Sequence, residues 1–248
     1  MEVNKDNFCI KSNYISRPEP RYFADSFTET TSIIHQVDVY PFAAYLAEKF
    51  GCKNVVDLGC GSAVKLTKLY PKFDIVGIDY GTNIQLCKNQ YKFGKWIDCN
   101  FEEVEELQLS PDILRNSVII CADLIEHLVN PTPLFRTLKT FLEHSPVCLL
   151  STPERDLVYG SDNNGPPSNP HHVREWNATE LENLLVSKGF DVSFIGLTFN
   201  NDHDLEKKTI LAILNGKNGI STLNPAYSSP NFRVVAVMAA YNEEDIIS

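Results

Sequence analysis

The run Val55-Val56-Asp57-Leu58-Gly59-Cys60-Gly61 constrains the fold more than any other part of this 248-residue chain. Its apolar, β-branched start predicts a buried strand, and its two glycines predict a turn directly after that strand. Glycine has no Cβ and tolerates a positive φ, so such a turn lets the backbone approach a ligand closely. The run therefore predicts a ligand-binding turn at the end of a buried strand.

Short β-rich runs alternate with helical patterns from residue 54 onward. We predict strands at 54–58, 74–78, 95–97, 117–121, 147–151, 191–198 and 208–214, and helices at 41–50, 63–70, 83–91 and 133–143, with one more helix capped by Asn177 and ended by Gly189. This alternation is typical of βαβ units and a parallel sheet. The sequence therefore predicts an α/β fold, namely a doubly wound, Rossmann-like sheet of seven strands.

An acidic residue at the end of the second predicted strand extends the ligand site. Asp79, in Val76-Gly77-Ile78-Asp79-Tyr80, lies about twenty positions after the glycine turn, where a carboxylate can accept both hydroxyls of a ribose. A dinucleotide site is the competing interpretation, but it requires G-x-G-x-x-G, and position 64 is valine. Asp57, two residues before the first glycine, also favours a different nucleoside cofactor.

These residues resemble the class I S-adenosylmethionine-dependent methyltransferases, over roughly residues 36–215. The resemblance implies S-adenosylmethionine as the cofactor. It implies that Asp57 orients the methionine end and that the turn lines the cofactor. The turn consists of Gly59, Cys60 and Gly61. The resemblance also implies that Asp79 and Tyr80 bind the ribose and that Asn100 and Phe101 lie beside the adenine, a position for which Asp98 competes. Asp123 is a further implied contact of the cofactor. The family's third glycine is Ala63 here, which changes how closely the following helix can approach.

A second informative stretch is Cys121-Ala122-Asp123-Leu124-Ile125-Glu126-His127-Leu128, directly after a predicted strand. In a helix that begins there, Asp123, Glu126 and His127 share a face, because they are three and four residues apart. Two carboxylates and an imidazole can hold a divalent metal such as magnesium. The stretch resembles methyltransferases of small phenols and of the terminal 2′-hydroxyl of small RNAs, which carry Glu-x-x-Glu-His and a later His; Asp123 replaces the first Glu, and His172 is the later His.

That resemblance implies that a metal activates a hydroxyl while an imidazole, His127 or His172, takes its proton. The alternative has no metal: His127 is hydrogen-bonded locally, and His172 acts as a plain general base. The sequence leaves both interpretations open.

The segment 153–176 is turn-rich and too long for a passive connection. Arg155, Arg174 and Trp176 place hydrogen-bond donors beside an aromatic ring, which suits a polyhydroxylated acceptor. The alternative is a structural loop whose polar side chains satisfy its own backbone.

The ends of the chain differ from its centre. Residues 1–35 predict an irregular N-terminal arm, 36–216 the methyltransferase domain and 217–231 a linker. Residues 232–248, with Tyr241-Asn242-Glu243-Glu244 after an apolar run, resemble the opening strand of family 2 glycosyltransferases. We expect the start of such a domain there, fused or adjacent; an extra edge strand of the same domain is the alternative.

Charge and hydropathy exclude several classes of partner. The net charge is −10, and no Lys/Arg stripe follows the chain, so long nucleic acid is not an expected partner. No run approaches 18 apolar residues, and the first residues lack the layout of a signal peptide. We expect no membrane span and a cytoplasmic location.

These observations lead to a functional hypothesis: O-methylation of a sugar or glycan hydroxyl, with a small-molecule or glycan acceptor. Two alternatives stay open within the same enzyme class, a small phenolic metabolite and the 3′-terminal ribose of an RNA. A third alternative is a non-catalytic cofactor-binding module attached to a glycosyltransferase.

Overall fold

The computed structural model describes residues 8–22, 33–203 and 206–217, and these form a seven-stranded sheet with flanking helices. The strands are β1 Asn54–Leu58, β2 Asp74–Asp79, β3 Lys95–Asp98, β4 Ser117–Ala122, β5 Val147–Pro153, β6 Asp191–Thr198 and β7 Thr209–Asn215. Their spatial order is β3-β2-β1-β4-β5-β7-β6. The predicted doubly wound α/β fold is confirmed. The predicted glycosyltransferase segment at 232–248, and the linker beyond residue 217, lie outside the described residues.

Strand direction determines where a ligand can bind. The five strands β1 to β5 pair in parallel, while β7 is antiparallel to both β5 and β6. From β1 the chain proceeds outward to β2 and β3, and then returns to the other side of β1 for β4 and β5. The switch point therefore lies between β1 and β4, and a crevice opens there at the carboxyl ends of the strands.

The helices are α1 Val39–Phe50, α2 Val64–Thr67, α3 Gly81–Gln90, α4 Pro111–Arg115, α5 Thr132–Leu142, α6 Arg155–Tyr159 and α7 Ala178–Ser187. The predicted helix ends are recognisable in the structure. Gly51 adopts φ +66° at the end of α1 and donates its N–H to the last carbonyls of that helix. Asn177 and Glu180 form a reciprocal capping box at the start of α7.

Two helical predictions need correction. The helix predicted at 63–70 ends at Thr67, and Ala63 lies before it in the left-handed region at φ +59°. The helix predicted from Asp123 is a single 3₁₀ turn, Ile125–His127. It cannot begin at Asp123, because that residue adopts φ +50°.

The sheet is covered by apolar side chains on both faces. Val55 belongs to one core cluster and Val56 to the other, and the same alternation holds for Ile119 and Ile120 in β4. Because successive side chains of a strand point to opposite faces, a strand buried on both faces consists of consecutive apolar residues. This burial fixes the central strands and therefore the position of their carboxyl ends.

The described part of the N-terminal arm, residues 8–22, contains no helix or strand but contacts the core and the loop before α7. Ile10 is buried in the core, and the carbonyl of Phe8 accepts a hydrogen bond from Trp176 Nε1 at 2.9 Å. Further along, the N–H of Ile15 donates to the carbonyl of Asn164 at 2.7 Å, and that of Arg17 to the carbonyl of Val173 at 2.8 Å. The arm therefore holds the long loop that precedes α7.

Candidate active site

A cavity of about 580 Å³ lies at the carboxyl ends of the parallel strands. Its walls come from the turn after β1, the ends of β2 and β3, the segment after β4, and the loop before α7. The N-terminal arm also contributes, through Arg21 and Tyr22. A cavity of this size at a switch point of a parallel sheet fits a nucleoside-sized ligand together with a second small molecule.

The predicted turn lies in the wall of this cavity, and Gly59, Cys60 and Gly61 all line it. Gly59 has φ +79° and Gly61 has φ +54°. A Cβ on Gly59 would lie 3.1 Å from side-chain carbons of Leu124, so a side chain here would crowd Leu124 as well as strain the positive φ. The turn therefore presents bare backbone to the cavity.

Asp79 fixes the turn to the end of β2. Its Oδ2 accepts the N–H of Gly61 at 2.8 Å, and its Oδ1 accepts the N–H of Tyr80 at 2.7 Å. The carboxylate is nearly buried and lines the cavity, as Tyr80 does. Asp79 is thus a rigidly held acceptor at the site where the sequence predicts ribose recognition.

The predicted adenine contacts split into two groups. Asn100 and Phe101 both line the cavity, and Phe101 is buried. Asp98 ends β3, is exposed, and does not line it. The competing assignment of Asp98 is therefore not supported, and Cys99, which the sequence analysis did not identify, lines the wall instead.

Asp57 lies beneath the turn and does not line the cavity. Its Oδ2 accepts a hydrogen bond from the hydroxyl of Tyr40, and burial raises the pKa of Asp57 to about 7. The role predicted for Asp57, orienting the methionine end of the cofactor, stays a prediction, and its carboxylate does not itself line the cavity. Tyr40, from α1, lines the cavity in its place.

His127 and His172 come together on the other side of the cavity. Their rings meet edge to face with centroids 4.8 Å apart, and both side chains line the cavity. His127 Nδ1 lies 2.9 Å from the carbonyl oxygen of His171, so Nδ1 carries the proton and Nε2 is the basic nitrogen. Burial and the neighbouring His172 lower the pKa of His127 to about 3, so the ring is neutral at pH 7.

His172 is held by two side chains of its own loop. Its Nδ1 lies 2.5 Å from Oε1 of the buried Glu175, and its Nε2 lies 2.9 Å from Nδ2 of Asn169. Neither Glu175 nor Asn169 was predicted from the sequence. Both lie within three residues of His172. The signal that could have identified Glu175 is a carboxylate three positions after a histidine.

The predicted metal ligands converge only in part. Glu126, His127 and His172 each offer a ligand atom, and these atoms lie within 4.8 Å of one another. Asp123 lines the cavity but does not belong to this group within the described chain. Both carboxylate oxygens of Glu126 are buried without a hydrogen-bond partner in the described structure, and burial followed by the proximity of Asp123 raises the pKa of Glu126 well above its ordinary value.

The three predicted acceptor contacts do not line the cavity. Arg155 is 1% exposed and forms a bidentate ion pair with Glu180, at 2.6 and 3.1 Å. Arg174 donates to the carbonyls of Leu128 and Val129. Trp176 is fully buried. This prediction is therefore corrected: the three side chains satisfy the loop's own framework, which is the alternative that the sequence left open.

The sequence of this chain matches a model of a known protein family. A family model described as "Methyltransferase domain" matches residues 35–193, which is more than half of the chain. This segment includes α1, the glycine turn, Asp79, both histidines and α7. Among the described residues, no helix is long and apolar enough to cross a membrane.

Curated relatives cover part of the chain. The probable S-adenosylmethionine-dependent methyltransferase MT3114 of Mycobacterium tuberculosis strain CDC 1551 is 30% identical over 156 residues, with 61% of this chain and 54% of that protein covered. A counterpart in Mycolicibacterium smegmatis is 30% identical over 149 residues, with 59% of this chain and 55% of that protein covered. The chain thus spans about half the length of these relatives.

Solved structures share the fold. The S-adenosylmethionine-dependent methyltransferase from Clostridium acetobutylicum ATCC 824 has a TM-score of 0.51 at 13% identity, covering 71% of this chain and 90% of that chain. The plantazolicin methyltransferase BpumL, in complex with a triazolic desmethylPZN analog and SAH, has a TM-score of 0.52 at 16% identity, covering 73% and 83%. At these identities the likeness concerns the fold alone.

Proposed function

This chain belongs to the methyltransferase domain family, and from that premise we propose that it transfers a methyl group from S-adenosylmethionine to a hydroxyl of a sugar or glycan. One observation carries the proposal. The glycine turn and Asp79 line one side of a cavity, and His127, with a basic Nε2, lines the other side of the same cavity. A methyl donor and a hydroxyl acceptor can therefore meet there.

The residues at the ends of β2 and β3 fit the adenosine part of the cofactor. Asp79 supplies a fixed carboxylate for the ribose hydroxyls. Phe101 offers an apolar ring surface, and Asn100 an amide, for a purine base. S-adenosylmethionine, when bound, supplies a methyl group already activated by the sulfonium. The chain's own residues then have to orient the acceptor oxygen and receive its proton.

His127 can receive that proton only as a weak base, because burial lowers its pKa to about 3. Its ring is neutral at pH 7, and the hydrogen bond from Nδ1 to the carbonyl of His171 fixes its orientation. The lone pair is therefore on Nε2. Holding the acceptor oxygen near this nitrogen makes the attack effectively unimolecular and supplies general-base assistance.

Polar side chains in the wall of the cavity support a polyhydroxylated acceptor. Gln36, Asn169 and Asn200 line the cavity, and each carries an amide that can donate and accept hydrogen bonds. Sugar hydroxyls need such partners once they leave water. The resemblance of residues 232–248 to a glycosyltransferase start also favours a glycan acceptor and an adjacent or fused glycosyltransferase.

A second candidate mechanism uses a divalent cation. Glu126 is a buried carboxylate without a hydrogen-bond partner in the described structure, and it lies with His127 and His172 in one potential ligand group. Such a set of one carboxylate and two imidazoles fits a divalent metal. These three residues would hold the ion, and the ion would lower the pKa of an acceptor hydroxyl.

The test is transfer of tritiated methyl groups from S-adenosylmethionine to separate panels of sugars, small phenols and short RNAs. We expect turnover on sugars, and a loss of about 10²- to 10⁴-fold in His127→Asn, because asparagine keeps a donor for the carbonyl of His171 but has no basic nitrogen. His203→Asn, at an exposed position, is the matched control and retains activity.

Other outcomes discriminate among the alternatives. Turnover on phenols alone, or on RNA alone, would show that the acceptor belongs to that class and is not a sugar. Activity that is lost on treatment with EDTA and restored by magnesium establishes the metal mechanism. Cofactor binding without transfer to any panel contradicts catalysis and favours a non-catalytic module.

A further inference from the structure

Two basic side chains line the cavity, Arg21 on the N-terminal arm and Lys65 on α2. Lys65 comes four residues after Gly61, so the glycine turn brings it directly to the site. It is half-buried, whereas Lys68 on the same segment is exposed. The family resemblance assigned no role to Lys65.

Among the described residues, Lys65 has no ion-pair partner. Its Nζ donates to the carbonyl of His35 at 3.2 Å and lies 4.9 Å from the ring centroid of Tyr40. Within the described ranges, no carboxylate lies at ion-pair distance from it, although Lys72 pairs with Glu48. An ammonium has three donors, so Lys65 can bind a further acceptor that enters the cavity.

The position of Lys65 shows which part of the cofactor it faces. The proposed adenosine contacts belong to the ends of β2 and β3. Lys65 lies over the ring of Tyr40, and the Tyr40 hydroxyl donates a hydrogen bond to Asp57 in β1, so the ammonium is associated with a strand two positions away from β3 in the sheet. Consistently, burial raises the pKa of Asp57 while the charge of Lys65 lowers it. A chain extending from the ribose across the turn therefore leads toward Lys65.

We infer that Lys65 binds the α-carboxylate of the cofactor's methionine portion. The inference rests on the proposed use of S-adenosylmethionine and adds a binding residue to it. Tyr40 and the carbonyl of His35 keep the ammonium at the cavity wall, so little side-chain freedom is lost on binding. A carboxylate bound to a half-buried ammonium forms a charge-assisted hydrogen bond, which is stronger than a neutral one.

The test compares two ligands that differ in the amino acid portion. S-adenosylhomocysteine carries the carboxylate, whereas 5′-methylthioadenosine lacks the entire amino acid group. Calorimetric titration of wild type, Lys65→Gln and Lys68→Gln with both ligands isolates the contact. We expect Lys65→Gln to bind S-adenosylhomocysteine about tenfold more weakly and 5′-methylthioadenosine within about twofold of wild type. Lys68→Gln, the matched control, binds both like wild type.

The possible results are distinct. If wild type does not bind S-adenosylhomocysteine, the proposed function itself fails. If wild type binds it and Lys65→Gln binds it equally well, only the role of Lys65 is overturned. An equal loss for both ligands assigns Lys65 a structural role and also overturns the inference. If Lys65→Gln binds S-adenosylhomocysteine like wild type but has a raised KM for an anionic acceptor, Lys65 binds the acceptor and not the cofactor. That result would also overturn the inference.

Discussion

The hydroxyl of Tyr40 donates a hydrogen bond of 2.8 Å to Oδ2 of Asp57, and both side chains are buried. This contact joins α1 to β1, one residue before the strand ends. Oδ1 of Asp57 has no hydrogen-bond partner in the described structure. Tyr40 therefore provides the hydrogen bond that compensates for burial of this carboxyl, directly below the glycine turn.

Removal of the Tyr40 hydroxyl should destabilise the fold. In Tyr40→Phe both oxygens of Asp57 are buried without a partner, so we expect the free energy of unfolding to fall by about 1–3 kcal/mol. Tyr45→Phe, on the same helix and only half-buried, should change it by less than about 0.5 kcal/mol. Urea unfolding measures both, and equal stability of Tyr40→Phe and wild type would refute this view of the contact.

The raised pKa of Asp57 predicts a specific pH dependence. Between its ordinary pKa near 4 and its folded pKa of about 7, the folded state binds a proton that the unfolded state has lost. The stability of wild type relative to Asp57→Asn should therefore fall as pH rises through this window, by an amount on the order of a few kcal/mol, and stay constant above it. Unfolding of both proteins from pH 4.5 to 8.5 measures this difference. A constant difference would show that the pKa of Asp57 is not raised.

Gly59 is constrained by its neighbour as well as by its backbone. Gly59→Ala combines a positive φ with a Cβ placed 3.1 Å from Leu124, whereas Gly51→Ala combines a positive φ with open space. We expect Gly51→Ala to cost about 1–2 kcal/mol and leave cofactor affinity unchanged. Gly59→Ala should cost more and weaken S-adenosylhomocysteine binding. Equal effects of the two substitutions on stability and binding would argue against close approach at the turn.

Arg155 should matter for stability. Arg155→Met leaves the Glu180 side chain, which is only 12% exposed, without its bidentate partner, and breaking a largely buried ion pair of this kind costs about 3–5 kcal/mol. Arg115→Met removes only an exposed pair with Asp112 and should cost less than about 0.5 kcal/mol. Thermal unfolding compares the two. If Arg155→Met is fully stable and only the KM for the acceptor rises, Arg155 contacts the acceptor after all.

The sheet could be predicted closely because its signals are local. β1 at Asn54–Leu58 and β6 at Asp191–Thr198 have their predicted bounds, since apolar runs that end in turn residues define strands. The order of helices and strands then selects a doubly wound sheet, because parallel neighbours require crossover helices. Two helix ends could be predicted for the same reason, because Gly51 ends α1 and Asn177 with Glu180 begins α7 through contacts with backbone groups a few residues away.

The parts that sequence reasoning missed depend on contacts between distant segments. The sequence shows that Arg155 and Arg174 can donate hydrogen bonds, but it does not show to which groups. Only the fold shows that Glu180 accepts from Arg155 and that the carbonyl of Leu128 accepts from Arg174. Asp123 was assigned to a helix, yet it adopts a positive φ that no local pattern required, and it is not part of the ligand group of Glu126. Tyr40 had no signal, because its partner Asp57 lies 17 residues away.

The central claim is that the glycine turn and Asp79 form an S-adenosylmethionine site, and the most direct measurement is a calorimetric titration with S-adenosylhomocysteine. We predict binding at a single site per chain. Asp79→Asn should weaken it at least about tenfold, because a charged acceptor for the ribose is lost, while Asp74→Asn, at the exposed start of the same strand, should bind like wild type. Absence of binding by wild type, or undiminished binding by Asp79→Asn, would contradict the claim.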